Sequence, residues 1–303
     1  MSDPVYHIPV MREACLSGLA IDPNGIYVDL TYGGGGHARE LLNRLENGHL
    51  YAFDQDPDAE KNAPEDPRFT FIPANFRDVR RYLKLYGVEQ VDGILADLGI
   101  SSHQIDEPSR GFSTRFEGPL DMRMSRSGEL TAAGVLNSYT EIELQRLLGT
   151  YGEVKNAKTL ARAIVSFRAN SPFEGSAEFK RLLDHHAPRG KYAKYAAQVY
   201  QALRIEVNQE MVALEEMLLQ SIDLLKPGGR LVIMSYHSLE DRLVKNIMTK
   251  GKLYGELEKD FYGNPIRPLE PVSRKAIVAD PEEIERNKRA RSARLRIAEK
   301  IQP

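Results

Sequence analysis

The sequence predicts an α/β protein: a parallel sheet with helices on both faces, interrupted by an all-helical insertion and resumed after it. Three observations carry this expectation. Short apolar runs alternate with amphipathic stretches as far as Leu98, the rhythm of successive strand and helix units in a parallel sheet. Across residues 101–203 the recurring pattern is helical instead. A turn at Lys226-Pro227-Gly228-Gly229 then leads back into an apolar strand.

Taken in order, a helix is expected at 11–19 and a strand at 26–30, followed by an amphipathic helix at 37–45. Strands at 49–53 and 69–72, a helix at 77–86 and a fourth strand at 91–97 complete the first run. Inside the insertion, Thr140-Glu141-Ile142-Glu143 has the Thr-x-x-Glu form of a capping box, opening a helix at 140–148. Helical spacing of apolar residues returns at 157–167, 177–185 and 193–203. A long helix at 208–225 precedes the fifth strand at 230–235, and Ser238 is the expected N-cap of the helix after it. Alternation in Ala293-Arg294-Leu295-Arg296-Ile297-Ala298 predicts a closing strand. The domain expectation is a core at 1–104 and 206–303, with the helical domain at 105–205.

Composition narrows the class. No apolar run approaches the roughly 20 residues that span a bilayer, so no membrane association is expected. The N-terminus lacks a cationic start with a following apolar stretch, so a secretory leader is not expected. The single cysteine, Cys15, leaves no internal disulfide, and a reducing, cytoplasmic setting is the default. The formal net charge of −2 conceals an uneven distribution: residues 107–205 carry +5 and the remainder −7. A basic module on an acidic core suits a polyanionic partner.

Ligands of open parallel sheets bind at the carboxyl ends of the strands. Three polar sites fall there. Gly33-Gly34-Gly35-Gly36 follows the first strand, and glycines allow close approach of backbone amides to a charged ligand group. Asp54 ends the second strand, where a carboxylate can accept both ribose hydroxyls. Asp97 ends the fourth. The glycine spacing departs from Gly-x-Gly-x-x-Gly, which weighs against a nicotinamide dinucleotide. It suits the shorter loop of S-adenosylmethionine enzymes, and the predicted fold is a Rossmann-like class I S-adenosylmethionine-dependent methyltransferase sheet.

Five segments, in order, resemble the motifs of the ribosomal RNA small subunit methyltransferase H family, also called MraW. They are Asp29-Leu30-Thr31-Tyr32-Gly33-Gly34-Gly35-Gly36-His37, Asp97-Leu98-Gly99-Ile100-Ser101-Ser102, Arg110-Gly111-Phe112-Ser113, Pro119-Leu120-Asp121-Met122-Arg123-Met124 and Ser235-Tyr236-His237-Ser238-Leu239-Glu240-Asp241-Arg242. The similarity begins at His7-Ile8-Pro9-Val10 and runs to Arg296. The resemblance implies methylation of the exocyclic N4 of one cytidine in the decoding (P-site) region of 16S ribosomal RNA, with S-adenosylmethionine as donor and the small ribosomal subunit as the setting. It also implies cofactor contacts at Gly35, Gly36, His37, Asp54, Phe76, Asp97 and Gln104. An aromatic at Phe76 suits an adenine face.

The chemistry assigns further roles. A cytosine N4 lone pair is delocalised into the ring, so acceptors on its hydrogens favour the tetrahedral nitrogen that attacks a methyl group. Asp97 is the preferred acceptor, with Ser101 or Ser102 supporting it and His237 a candidate contact to the base or a phosphate. Many amino-directed methyltransferases carry Asp or Asn followed by Pro-Pro and an aromatic, whereas this chain has Asp97-Leu98-Gly99-Ile100. Methylation at C5 needs a thiolate, and Cys15 sits in a helix away from every strand end. No metal site is expected from the histidine spacing.

RNA contacts are expected from Arg189, Lys191, Tyr192 and Lys194, which interleave cations and aromatics with Tyr195, Tyr200 and Arg204 following. Lys155, Lys158, Arg162 and Arg168 form a second basic run, and Arg110, Arg115, Arg123 and Arg126 lie in the connection leaving Asp97. The tail at 286–300 has seven basic residues and one acidic, a further candidate for phosphate contact. An apolar helical insertion also offers a surface for a homodimer. Two rival readings are a ribosome assembly factor that retains cofactor without chemistry, and a nicotinamide-dependent oxidoreductase.

Overall fold

A computed structural model describes residues 9–302; His7 and Ile8, where the family similarity begins, lie outside them. The chain divides into two compact units, one formed by Met1–Gly99 with Met211–Pro303 and the other by Ile100–Glu210.

The first unit is built on strands that begin and end where apolar runs meet polar or glycine-rich turns. Helix α1 (Arg12–Leu19) precedes β1 (Ile26–Asp29), α2 (Gly36–Leu42), β2 (His49–Phe53), β3 (Phe69–Ile72), α3 (Val79–Leu85) and β4 (Val91–Asp97). In the second unit come α4 (Ser102–Asp106), α5 (Ala132–Ser138), α6 (Glu141–Thr150), α7 (Ala157–Arg168), α8 (Ser176–His186) and α9 (Tyr192–Asn208). Then follow α10 (Glu210–Leu224), β5 (Leu225–Ser235), α11 (Ser238–Lys250), β6 (Leu269–Pro271), α12 (Pro281–Arg286) and β7 (Arg294–Lys300).

The seven strands form one sheet in the order β3-β2-β1-β4-β5-β7-β6. Strands β1 to β5 pair in parallel, while β7 runs antiparallel to β5 and to β6. The expected closing strand is therefore β7, reversed so that Arg294 sits beside Ser235 at the carboxyl edge. Period-two alternation divides the buried residues of the sheet between its faces. Val28, Phe53, Ile94, Ala96 and Ile233 pack with α3, α10 and α11. Leu50, Leu95, Val232, Leu295 and Ile297 pack with α1 and α2.

The second unit has a core of its own, with Leu144, Leu148, Leu160, Ile164, Phe179, Val199 and Leu203 buried together. Thr140 and Glu143 form the expected capping box of α6: the threonine hydroxyl accepts the Glu143 amide and the glutamate accepts the Thr140 amide. The long helix expected from 208 is separated from α9 by Gln209, which adopts a left-handed φ of 50°. The Lys226-Pro227-Gly228-Gly229 turn is taken up into β5, whose pairing with β4 slips in register between Val91 and Gly93. Lys226 reaches Asp92 across that irregularity at 2.7 Å.

Candidate active site

Every strand of the parallel run delivers a polar group to the carboxyl edge, and in the first unit these groups form one connected set. The glycine loop leaves β1 with Gly33 and Gly35 at φ 51° and 75°, the left-handed region that disfavours a side chain. Two loop amides are engaged internally: Gly33 donates to Asp54 Oδ2 at 2.7 Å, and Gly35 donates to the Tyr32 carbonyl at 2.8 Å. A Cβ on Gly36 would fall 2.3 Å from Pro9 Cγ, whereas one on Gly34 would meet nothing within 4 Å. The loop is thus packed on one side and has room for a ligand at Gly34.

Three carboxyl groups stand at the ends of β1, β2 and β4. Asp29 Oδ1 accepts the Thr31 amide at 3.0 Å, and Asp54 Oδ1 accepts the Asp56 amide at 2.8 Å. Asp97 Oδ1 accepts the Tyr236 hydroxyl at 2.7 Å, and its amide donates to Thr31 Oγ1 at 2.6 Å. Burial raises all three pKa values, Asp29 and Asp54 to about 6 and Asp97 to about 7. Removal from water disfavours the charged form, and for Asp97 the nearby Glu240 adds to the rise while the Tyr236 hydrogen bond opposes it. Such a cluster of desolvated carboxyls attracts a cation or hydroxyl donors.

His37 is buried, with Nε2 on the Val10 carbonyl at 3.1 Å and Nδ1 3.9 Å from Asp97 Oδ2. Burial lowers its pKa, so the ring is neutral at pH 7. Phe76 follows β3 and packs half-buried against the core, held by Asn75, whose side chain accepts the Arg77 amide and donates to Gln55. Residues 55 and 75 are thereby linked across two neighbouring strand ends, next to Asp54 and Phe76.

At the end of β5, His237 and not Ser238 is the N-cap of α11, which corrects the expectation. Its Nδ1 accepts the Glu240 amide at 3.4 Å, while Nε2 lies 3.1 Å from Glu240 Oε1. The buried glutamate closes the motif by accepting the Tyr236 and His237 amides at 2.9 and 3.3 Å. A ring nitrogen can replace a hydroxyl as cap acceptor when the returning carboxylate holds the ring. Nδ1 is thus the capping atom, while the buried Nε2, though near that carboxylate, makes no hydrogen bond among the described residues. Tyr236, to which sequence reasoning gave no role, makes the direct contact to Asp97; its sequence signals were its position at a strand end and its place in the fifth family-like segment. Cys15 is fully buried, and burial raises its pKa well above the ordinary thiol value, so no thiolate nucleophile stands ready.

The other sequence-selected residues lie in the second unit. Ser101 and Gln104 cap α4 reciprocally, the serine hydroxyl accepting the Gln104 amide and the glutamine oxygen the Ser101 amide; Ser102 opens that helix. Arg110 is buried and donates to the carbonyls of Arg123 and Met124. It braces an irregular stretch of backbone, where the sequence predicts an exposed RNA contact. Arg123 is held by Asp121 through two hydrogen bonds of 2.8 Å and donates to the Gly128 carbonyl. Tyr195 and Tyr200 are core residues, Tyr192 packs against the same core half-buried, and Arg204 is paired with Glu210 at 2.7 Å. Arg189, Lys191 and Lys194 are exposed cations.

A parallel sheet closed by a reversed strand beside β5, with acidic groups at its carboxyl edge, defines a class I methyltransferase fold. The chain belongs to the MraW methylase family, whose sequence description matches residues 4–301. It is 59% identical over 298 residues to the ribosomal RNA small subunit methyltransferase H of Cytophaga hutchinsonii, covering 98% of this chain and 100% of the relative. The same-named proteins of Flavobacterium johnsoniae and Amoebophilus asiaticus are 55% and 54% identical over 297 residues. Those two alignments cover 98% and 97% of this chain, and 98% and 96% of the relatives.

Proposed function

We propose that this protein transfers a methyl group from S-adenosylmethionine to the exocyclic N4 of a cytidine in the decoding region of 16S ribosomal RNA. The observation that carries the reading is the similarity, along almost the whole chain, to proteins named as ribosomal RNA small subunit methyltransferases.

The residues at the carboxyl edge fit that donor. Its sulfonium and ammonium groups are cationic and its ribose carries two hydroxyls, matching a cluster of three desolvated carboxyls. Asp54 already accepts the Gly33 and Asp56 amides, with a further backbone hydrogen bond from Gln55, and as a carboxylate with about four acceptor sites it can still accept a ribose hydroxyl. The glycine loop gives the donor's carboxylate and backbone close access at Gly34. Bound S-adenosylmethionine supplies an electrophilic methyl group and leaves as S-adenosylhomocysteine.

Asp97 then acts on the acceptor. Its carboxylate accepts a hydrogen bond from the N4 amino group, turns the nitrogen lone pair out of conjugation and takes the proton that the nitrogen loses as the new N–C bond forms. A pKa of about 7 matches that role at neutral pH. Tyr236 orients the carboxylate through Oδ1, and Glu240 and His237 fix the turn on which Tyr236 sits. This network takes the place of an Asp/Asn-Pro-Pro-aromatic motif. A buried, protonated Cys15 is inconsistent with attack on the base through a thiolate.

The test is to incubate the purified protein with S-adenosylmethionine and small subunits that lack the modification, then locate new methyl groups by mass spectrometry. Methyl transfer to cytidine N4 in the decoding region is the expected outcome. Transfer to a ring carbon, to protein or to no RNA would refute it.

A further inference from the structure

Strand β7 carries cations at alternate positions. Leu295 and Ile297 turn into the α1 layer, which leaves Arg294 and Arg296 together on the opposite face. On that face Lys245 of α11 and Arg274 and Lys275 of the segment after β6 join them, with Ala276 and Val278, around a pocket of about 350 Å³.

The charges in this pocket are unbalanced. Asp241 holds Arg296 through contacts of 2.7 and 3.1 Å and reaches Arg294 at 3.3 Å. One carboxylate therefore fixes the two strand arginines, while Lys245, Arg274 and Lys275 have no side-chain ion pair among the described residues. Ile277 bridges to Leu295, which pins the segment bearing Arg274 and Lys275 along the outer side of β7. Like charges gathered on fixed backbone repel one another, and an anion between them removes that repulsion.

Its position is informative. In the sheet, Asp97 is in register with Met234, and Met234 with Leu295. Two strand spacings put the backbone beside Arg294 about 10 Å from that of Asp97 along the same carboxyl edge, with Asp97 turned to the α1 and α2 face and the two arginines to the α11 face, so that an RNA strand joining them crosses that edge. A stacked nucleic acid strand needs at least about three nucleotides for that distance. The lining offers guanidinium and ammonium groups and two small apolar side chains but no aromatic surface for a base. Such a set reads phosphate and not sequence.

We infer that this pocket is a phosphate-binding subsite for the RNA strand that carries the target base, anchoring its backbone a few nucleotides from Asp97. This rests on the RNA methyltransferase reading and extends it to a surface of the core.

The experiment uses the full chain with Arg274→Gln and Lys275→Gln combined, two exposed positions outside the proposed catalytic set. Binding to an unmodified 16S ribosomal RNA transcript is measured over a range of salt concentrations. The variant is expected to bind about tenfold more weakly near physiological salt, and the slope of log affinity against log salt should be shallower by about 1.4, the value for two lost contacts to a single strand. The KM for RNA should rise in step, with kcat at saturating RNA and affinity for S-adenosylhomocysteine unchanged. The charge-conserving pair Arg274→Lys and Lys275→Arg should restore the slope. Unaltered affinity and slope would overturn the inference, as would weakening seen with assembled subunits but not with the transcript, since the pocket would then meet protein. If the wild-type protein binds RNA with the expected slope yet methylates none, the activity fails while the subsite stands.

Discussion

Asp97 combines two properties that ordinarily conflict. Its ordinary pKa of 3.8 is raised to about 7 by burial, so the folded protein holds a proton there more tightly than the unfolded chain does. The same sign applies to Asp29 and Asp54, raised to about 6. Together these groups favour the folded state fully below pH 4, and that contribution is lost as pH rises from there through 6 and 7. At neutral pH the three carboxyls oppose folding, a cost in keeping with the proposed need for negative charge at this edge. Asp97→Asn keeps an oxygen to accept the Tyr236 hydroxyl and removes the charge. It should raise the thermal midpoint at pH 7.5 by about 2 °C or more while lowering methyl transfer at least 100-fold, the usual contribution of a positioned proton acceptor. A melting curve and a turnover assay check both halves; a midpoint that falls would show that the carboxylate is stabilising.

The partner of Asp97 gives a second prediction at this scale. Removing the hydrogen bond in Tyr236→Phe removes an influence that lowers the carboxyl pKa. The acid limb of the kcat profile should move to higher pH, with the KM for S-adenosylmethionine little changed. A limb that stays in place would separate Tyr236 from the reaction. Cofactor affinity in the wild type should fall as pH drops from 8 through 6, because a cationic donor binds the deprotonated carboxyls. Calorimetric titration in buffers of different ionisation enthalpy would register the proton release.

At the scale of elements, the glycine loop is where backbone conformation and function meet. Gly35 caps α2 at φ 75°, and a Cβ there would stand 2.6 Å from the Tyr32 hydroxyl oxygen, which itself donates to the Asn62 carbonyl. Gly35→Ala should destabilise the protein by about 1–2 kcal/mol from the left-handed backbone alone, and displacing Tyr32 should weaken S-adenosylhomocysteine binding; denaturant melts and calorimetry measure the two effects. The core strands were legible because each is an apolar run with clear punctuation: β2, β3 and β4 match the expected spans residue for residue. Shorter elements escaped. β6 has three residues, ends in Pro271 and exists through its pairing with β7, a tertiary cause that leaves no local pattern. α5 spans less than two helical turns and carries too few apolar positions for a period. The cap of α11 was misread because hydroxyl preference favours Ser238, whereas the reciprocal Glu240 contacts select His237. Arg110 shows a related limit: charge in a sequence reads as surface, whereas this guanidinium is buried and donates to the carbonyls of Arg123 and Met124.

At the scale of the whole chain, the sheet is built from segments far apart in sequence, since β4 ends at Asp97 and its neighbour β5 begins at Leu225. An insertion between adjacent strands is tolerated when its ends join without disturbing either strand and its own apolar surface is satisfied internally. Residues 100–210 meet the second condition. Their core is continuous from Phe112 to Leu203, and Thr131 and Thr140 cap α5 and α6 from within the segment. Asn208 binds the Met122 carbonyl and the Met124 amide, tying the end of α9 to the irregular stretch near the start. Arg204 finds its counter-charge at Glu210. A polypeptide of residues 100–210 should therefore fold alone, giving a helical circular dichroism spectrum, a cooperative thermal transition and resistance to limited proteolysis. Asn208→Ala, which removes the tie at both ends, should lower that transition by several degrees, since each lost buried hydrogen bond costs about 1 kcal/mol. A fragment that melts without cooperativity would mean that its core is completed only in the full chain, and the insertion would then be an extension of the methyltransferase sheet instead of a folding unit joined to it.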